Sequence, residues 1–146
     1  MSIFSSRQPA IALVDDDYHS ARLLTRMLEA HGAPQVARVD DTDEAVDALA
    51  DAYHLNPGMP PFMAVVDLKS SSNATRDFVL RLKTRAPHLL VVAMAPSLDR
   101  ETRNALIDAG ASAVFERHAD IGAYRSEAAS IVAFWVRNQH LDGVGT

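Results

Sequence analysis

Four aspartates carry the chemistry this sequence offers. Asp15, Asp16 and Asp17 follow the apolar run Ile11–Val14 without a break, and Asp67 follows a second such run, Phe62–Val66. If the two runs are neighbouring parallel strands, Asp15, Asp16 and Asp67 meet at their carboxyl ends. Carboxylates crowded into one crevice repel each other and raise one another's pKa unless a cation lies between them. Oxygen ligands without thiolate or imidazole favour Mg²⁺, which keeps several waters, takes one or two carboxylates and commonly also contacts phosphate. A carboxylate beside such a cation can act as a nucleophile toward phosphorus, giving an aspartyl phosphate. An aspartate triplet alone reads equally well as a solvated helix cap. It is Asp67, at a second strand end, that turns the cluster into a candidate site. The six histidines show no i, i+4 pairing and are assigned no metal.

The elements that would position these residues are legible in the apolar pattern. Ile11–Val14 is apolar on both faces, as suits a strand covered on both sides. A helix is predicted over Tyr18–Ala30, with Leu23, Leu24, Met27 and Leu28 as its stripe and His31-Gly32 as its stop. A second strand is predicted at Gln35–Val39. A second helix follows to about Tyr53, with Asp41 and Glu44 at capping-box spacing. His54–Pro61, with three prolines and a glycine, is a loop. After the third strand, Phe62–Val66, the polar turn Lys69–Asn73 leads to a helix over Thr75–Arg85. The fourth strand is Leu89–Met94. A helix opening at Pro96-Ser97 runs to Ala109 and stops at Gly110. The fifth strand is Ala113–Phe115. A last helix covers Ile121–Gln139, with Tyr124, Ala128, Ile131, Val132 and Trp135 at helical spacing. Alternation of this kind predicts an α/β fold, a doubly wound five-stranded parallel sheet with five helices. Ligands of such sheets bind outside the carboxyl ends of the strands, where Asp15, Asp16 and Asp67 lie.

Composition bounds the alternatives. The chain has 146 residues, 48% of them hydrophobic, which suits a single domain with a full core. It has no cysteine, which removes disulfides, thiolate metal sites and a cysteine nucleophile and fits a reducing, cytoplasmic location. The opening segment has no apolar stretch of the signal-peptide type, and no run approaches a membrane span. A net charge of −5 with scattered basic residues argues against direct nucleic-acid binding, and no membrane partner is expected.

With these residues in view, the chain resembles the receiver domain of bacterial two-component response regulators, of the CheY-like type. The resemblance rests on Val14–Asp17 after the first strand, Val65–Leu68 after the third and Ala109–Ala111 before the fifth, and it spans Gln8 to Gln139. It implies the flavodoxin-like strand order 2-1-3-4-5 and a receiver domain over 8–140, with short flexible termini at 1–7 and 141–146. It implies that Asp67 is the phosphoacceptor. Asp16 would bind Mg²⁺ directly, Asp15 largely through water, and Asp67 and the backbone carbonyl of Lys69 would be further ligands. Arg117 stands where the family has a lysine that pairs with the phosphoryl oxygens; arginine keeps the charge but is a planar fork. Other positions depart further. Ala95 stands where the family has a Thr or Ser hydroxyl, Val114 where it has an aromatic, and Ser70–Ser72 where it has a proline. Ser97 is the nearest hydroxyl to the first of these.

The expectation is a stand-alone, atypical receiver in phosphorelay signal transduction. It would be a non-enzymatic phosphoprotein that accepts its phosphoryl group from a sensor histidine kinase or a histidine phosphotransfer protein. It would act on a downstream protein, or a second copy, through the fourth helix, fifth strand and fifth helix, where Phe134 and Val136 widen the apolar arc. With Ala95 in place, weakened coupling between phosphorylation and shape is expected. The rival is a pseudo-receiver that binds partners independently of phosphorylation. A phosphohydrolase with Asp67 as nucleophile is disfavoured, because Lys69 stands where such sites place a second aspartate. Lys69 itself is expected to face solvent, or else to lean over the pocket and slow the attack of water on an acyl phosphate.

Overall fold

A computed structural model describes residues 11–55 and 63–144. Five strands and five helices alternate along the chain: β1 (Ile11–Asp15), α1 (Tyr18–Ala30), β2 (Val36–Val39), α2 (Asp43–Leu55), β3 (Met63–Asp67), α3 (Ala74–Arg85), β4 (Leu90–Ala95), α4 (Arg100–Ala109), β5 (Ala113–Glu116) and α5 (Ile121–Val144). The strands form one sheet in the order β2-β1-β3-β4-β5, and every pairing is parallel. The expected architecture and strand order are therefore present.

The pleat sorts the strand residues into two cores. Ala12, Val14, Ala64, Val66, Val91 and Ala93 point to the side covered by α2, α3 and α4, where Leu49, Phe78, Leu82 and Leu106 pack on them. Ile11, Leu13, Met63, Val65, Val92 and Met94 point the other way, onto Leu24 and Leu28 of α1 and Tyr124, Ile131 and Trp135 of α5. Successive residues of a strand alternate faces. Asp15 and Asp67, two residues beyond Leu13 and Val65, therefore emerge on the α1/α5 side. The register sets Asp15 directly beside Asp67.

Several element ends differ from the sequence expectation, each for a local reason. The cap of α2 is Thr42, whose hydroxyl accepts the amide of Ala45 at 3.0 Å, and not Asp41, whose carboxylate pairs with Arg81 at 3.0 Å. Helix α4 starts at Arg100 and not at Pro96-Ser97, because the Asp99 carboxylate accepts the amide of Thr102 at 2.8 Å. Helix α5 continues past Gln139 to Val144, so part of the expected tail is helical. Phe62, most of the loop before it and the termini 1–7 and 145–146 lie outside the described residues. Among the described residues no helix is long and apolar enough to cross a membrane.

Candidate functional site

The site is built on the register pair Asp15 and Asp67. Both are fully buried, which is costly for charged carboxylates unless opposite charges and hydrogen bonds compensate. Two cations do so. The Nε of Arg117 donates to Asp67 Oδ1 at 2.8 Å. The ammonium of Lys69 donates to Asp15 Oδ1 at 2.8 Å and to the backbone carbonyl of Asp67 at 3.2 Å. It also lies 3.2 Å from Asp67 Oδ2, without the alignment of a hydrogen bond. An ammonium has three N–H donors, and here three oxygens surround it. Two carboxylates against one guanidinium and one ammonium leave the pocket electrically balanced. Burial still pushes the Asp15 carboxyl above its ordinary range, against the opposing pull of the hydrogen bond from Lys69.

Asp16 is not part of this group. Its carboxylate is turned to the loop after β3, where it accepts the amides of Lys69 at 3.0 Å and 3.1 Å and of Ser70 at 2.9 Å. The expected convergence of three carboxylates thus reduces to two, with the third tying β1 to the β3–α3 loop. Asp17 takes the helix-cap role, accepting the amide of His19 and the hydroxyl of Ser20. Of the two places expected for Lys69, it takes the second and leans over the pocket rather than facing solvent. Its side chain is 21% exposed and its charge is spent inside the pocket. Among the described residues no three His, Cys, Asp or Glu side chains converge as a metal set. As arranged, the residues do not fit a divalent cation: the place between Asp15 and Asp67 is filled by an ammonium, and the third carboxylate is bound elsewhere.

The altered positions lie on β4, β5 and the loop between β4 and α4. Ala95 ends β4, and its carbonyl accepts the amide of Arg117 at 2.7 Å, stapling β4 to the segment that carries the guanidinium. Its methyl group lies in the α2–α4 core. Ser97 offers no replacement hydroxyl, because it is tied to Asp99 at the start of α4. Val114 is half-buried on the α2–α4 side of β5. Phe134 is spent on packing, edge-on to Phe115 at 6.1 Å, whereas Val136 is 47% exposed.

Two neighbours of the site carry no sequence signal of their own. The buried Thr75 hydroxyl bonds both the amide and the carbonyl of Leu68, at 3.0 Å and 3.3 Å, and so fixes the backbone immediately after Asp67. Tyr124, from α5, is buried with its hydroxyl unpartnered. Burial first, then the charges of Asp67 and Asp15, push that phenol well above its ordinary pKa, which places the hydroxyl within electrostatic reach of the acidic pair. The sequence shows Tyr124 only as a core position at helical spacing.

Similarity to known proteins is confined to structure: no family profile matches the sequence and no curated protein does. A response regulator receiver domain from Rhodospirillum rubrum superposes with a TM-score of 0.70 over 87% of this chain and 93% of its own, at 18% identity. The fold is that of a receiver domain. A CheY-like protein from Pseudomonas aeruginosa is similar at a TM-score of 0.58 and 22% identity, covering 85% of this chain and 91% of that one. A response regulator solved in its Mn²⁺-bound form is similar at a TM-score of 0.62 and 16% identity, covering 86% of this chain and 92% of its own. The receiver fold of this chain therefore comes with an acidic site whose own lysine stands between the two buried carboxylates.

Proposed function

We propose that this chain is a receiver-type signalling module of a two-component phosphorelay, located in the cytoplasm, with Asp67 as its phosphoacceptor. The observation that carries this reading is the position of the Asp67 carboxylate, at the carboxyl end of the central strand β3 and flanked by Arg117 and Lys69. An acyl phosphate on Asp67 carries more negative charge than the carboxylate it replaces, and two cations already stand beside the place it would occupy. In the transfer, an oxygen of Asp67 attacks the phosphorus of a phosphohistidine. The O–P bond forms as the P–N bond breaks, and the electron pair returns to the imidazole nitrogen, which takes up a proton from solvent. Oδ2 is the oxygen with no hydrogen bond to give up. Because Asp67 is fully buried beneath Lys69, the lysine side chain must swing out before a donor can reach it. The donor would be a sensor histidine kinase or a histidine phosphotransfer protein. Output would be by protein contact, with the exposed Val136 on the α5 surface a candidate contact.

The test is radiolabelling from acetyl phosphate or a phosphorylated histidine donor, with Asp67→Asn alongside. Acid-stable, base-labile label on the wild type and none on Asp67→Asn is the expected result. No label from any donor would overturn the assignment. A second reading, an interaction module that works without phosphorylation, is favoured by the burial of Asp67 and the methyl group of Ala95. It predicts an unlabelled protein whose partner binding is unchanged in Asp67→Asn.

A further inference from the structure

We infer that Lys69 is the resident cation of the acidic site, so that this receiver fold holds its two buried carboxylates without a divalent metal ion. The inference rests on taking the Asp15–Asp67 pocket as the receiver's acidic site. It does not require that Asp67 be phosphorylated.

Three observations support it together. The ammonium lies between the carboxylates and is within 3.2 Å of three oxygens, from Asp15, the Asp67 side chain and the Asp67 backbone. A metal ion at that point would displace the lysine or be repelled by it. Asp16, the carboxylate that could complete a metal site, is held on the amides of Lys69 and Ser70. Those amides belong to the same loop that delivers the ammonium, so one loop conformation both supplies a cation and sequesters the third acid. Finally, Arg117 neutralises the remaining Asp67 oxygen. Within the Asp15–Asp67 pair the charges balance, so a divalent ion could reach the two Oδ2 oxygens that lack hydrogen bonds only by displacing the ammonium.

Removing the lysine charge should reverse the first of these, while the backbone amides that hold Asp16 and the Arg117 pair remain. Lys69→Met keeps an apolar stem over the pocket but leaves Asp15 and Asp67 with only Arg117, and Lys69→Ala opens the pocket as well. The experiment titrates Mn²⁺ into the full chain and follows loss of the free-ion electron paramagnetic resonance signal, with far-ultraviolet circular dichroism as a check on folding. Both variants should bind Mn²⁺ roughly tenfold or more tighter than the wild type, a difference of about 1.4 kcal/mol. Asp15→Asn added to Lys69→Met should abolish the gain. Thermal melts give a second readout: Mn²⁺ should raise the midpoint of the variants and leave the wild type unchanged. A variant that folds only with Mn²⁺ supports the same conclusion. Wild-type protein that binds Mn²⁺ as tightly as Lys69→Met would overturn it. Labelling of Asp67 is a separate measurement: its absence would remove the proposed function and leave the Mn²⁺ result to decide the role of Lys69.

Discussion

At the residue scale, the protein's chemistry turns on which buried polar atoms have partners. Asp15 and Asp67 each pair one oxygen with Lys69 or Arg117 and leave Oδ2 without a hydrogen bond, and the Tyr124 hydroxyl is likewise buried and unpartnered, beside the same two charges. A buried polar group without a hydrogen bond carries its full desolvation cost, so Tyr124→Phe should leave stability at neutral pH unchanged or raise it by about 1 kcal/mol. The pH dependence has a definite sign. The folded-state pKa of Tyr124 lies above its unfolded value, so its titration leaves stability unchanged below about pH 10 and lowers it as pH rises beyond that, because the unfolded chain ionises first. Thermal melts from pH 7 to pH 11 should show the wild type falling faster than Tyr124→Phe above pH 10. Parallel curves would mean that the hydroxyl is solvated. The sequence exposed the pair Asp15 and Asp67, because a carboxylate that ends an apolar run must sit at a strand's carboxyl end. It did not expose the roles of Asp16, Lys69 and Tyr124. Where those side chains point depends on the path of the loop after β3 and on how α5 lies across the sheet, and neither is encoded in residue spacing.

At the element scale, apolar runs, helical spacing and stop signals marked every strand and helix, while the caps needed three dimensions. Thr42 and Asp41 are adjacent and both suit an N-cap, and the choice between them is made by Arg81 of α3, which claims Asp41 from across the helix pair. The end of α4 was legible because glycine has a backbone reason to be there. Gly110 adopts φ +123°, and its amide and that of Ala111 bond back to Ile107 and Leu106 at 3.0 Å each. It also has a packing reason, for a Cβ at this position would lie 2.6 Å from Cγ of Lys83. That lysine is itself tied to the carbonyl of Leu89 at 2.8 Å, at the entry to β4. Gly110→Ala should therefore cost about 1–3 kcal/mol, as backbone strain adds to the displaced lysine. Urea denaturation would measure it, and a loss below the lower figure would show that the stem of Lys83 moves aside freely.

At the scale of the whole molecule, the question is whether an event at Asp67 can be felt at α4, β5 and α5. A bound group shifts a conformational equilibrium only by the difference in its interactions with the two states. Ala95 contributes no side-chain donor toward Asp67, and Ser97 is committed to the cap of α4. What joins β4 to the guanidinium is a backbone bond, Arg117 to the Ala95 carbonyl, and it is formed without any phosphoryl group. The Arg117 side chain already reaches Asp67 as well. A phosphoryl group would thus meet contacts that are largely in place, which gives little differential free energy to move α4. Amide chemical shifts of the acetyl-phosphate-treated protein should change around Asp67, Lys69 and Arg117, while those of Arg100–Ala109 stay close to their starting values. Ala95→Thr, which introduces a hydroxyl at the end of β4, should spread the changes into α4. If α4 moves in the wild type as far as in Ala95→Thr, the coupling runs through the lysine and arginine that flank Asp67, and the hydroxyl is dispensable in this fold.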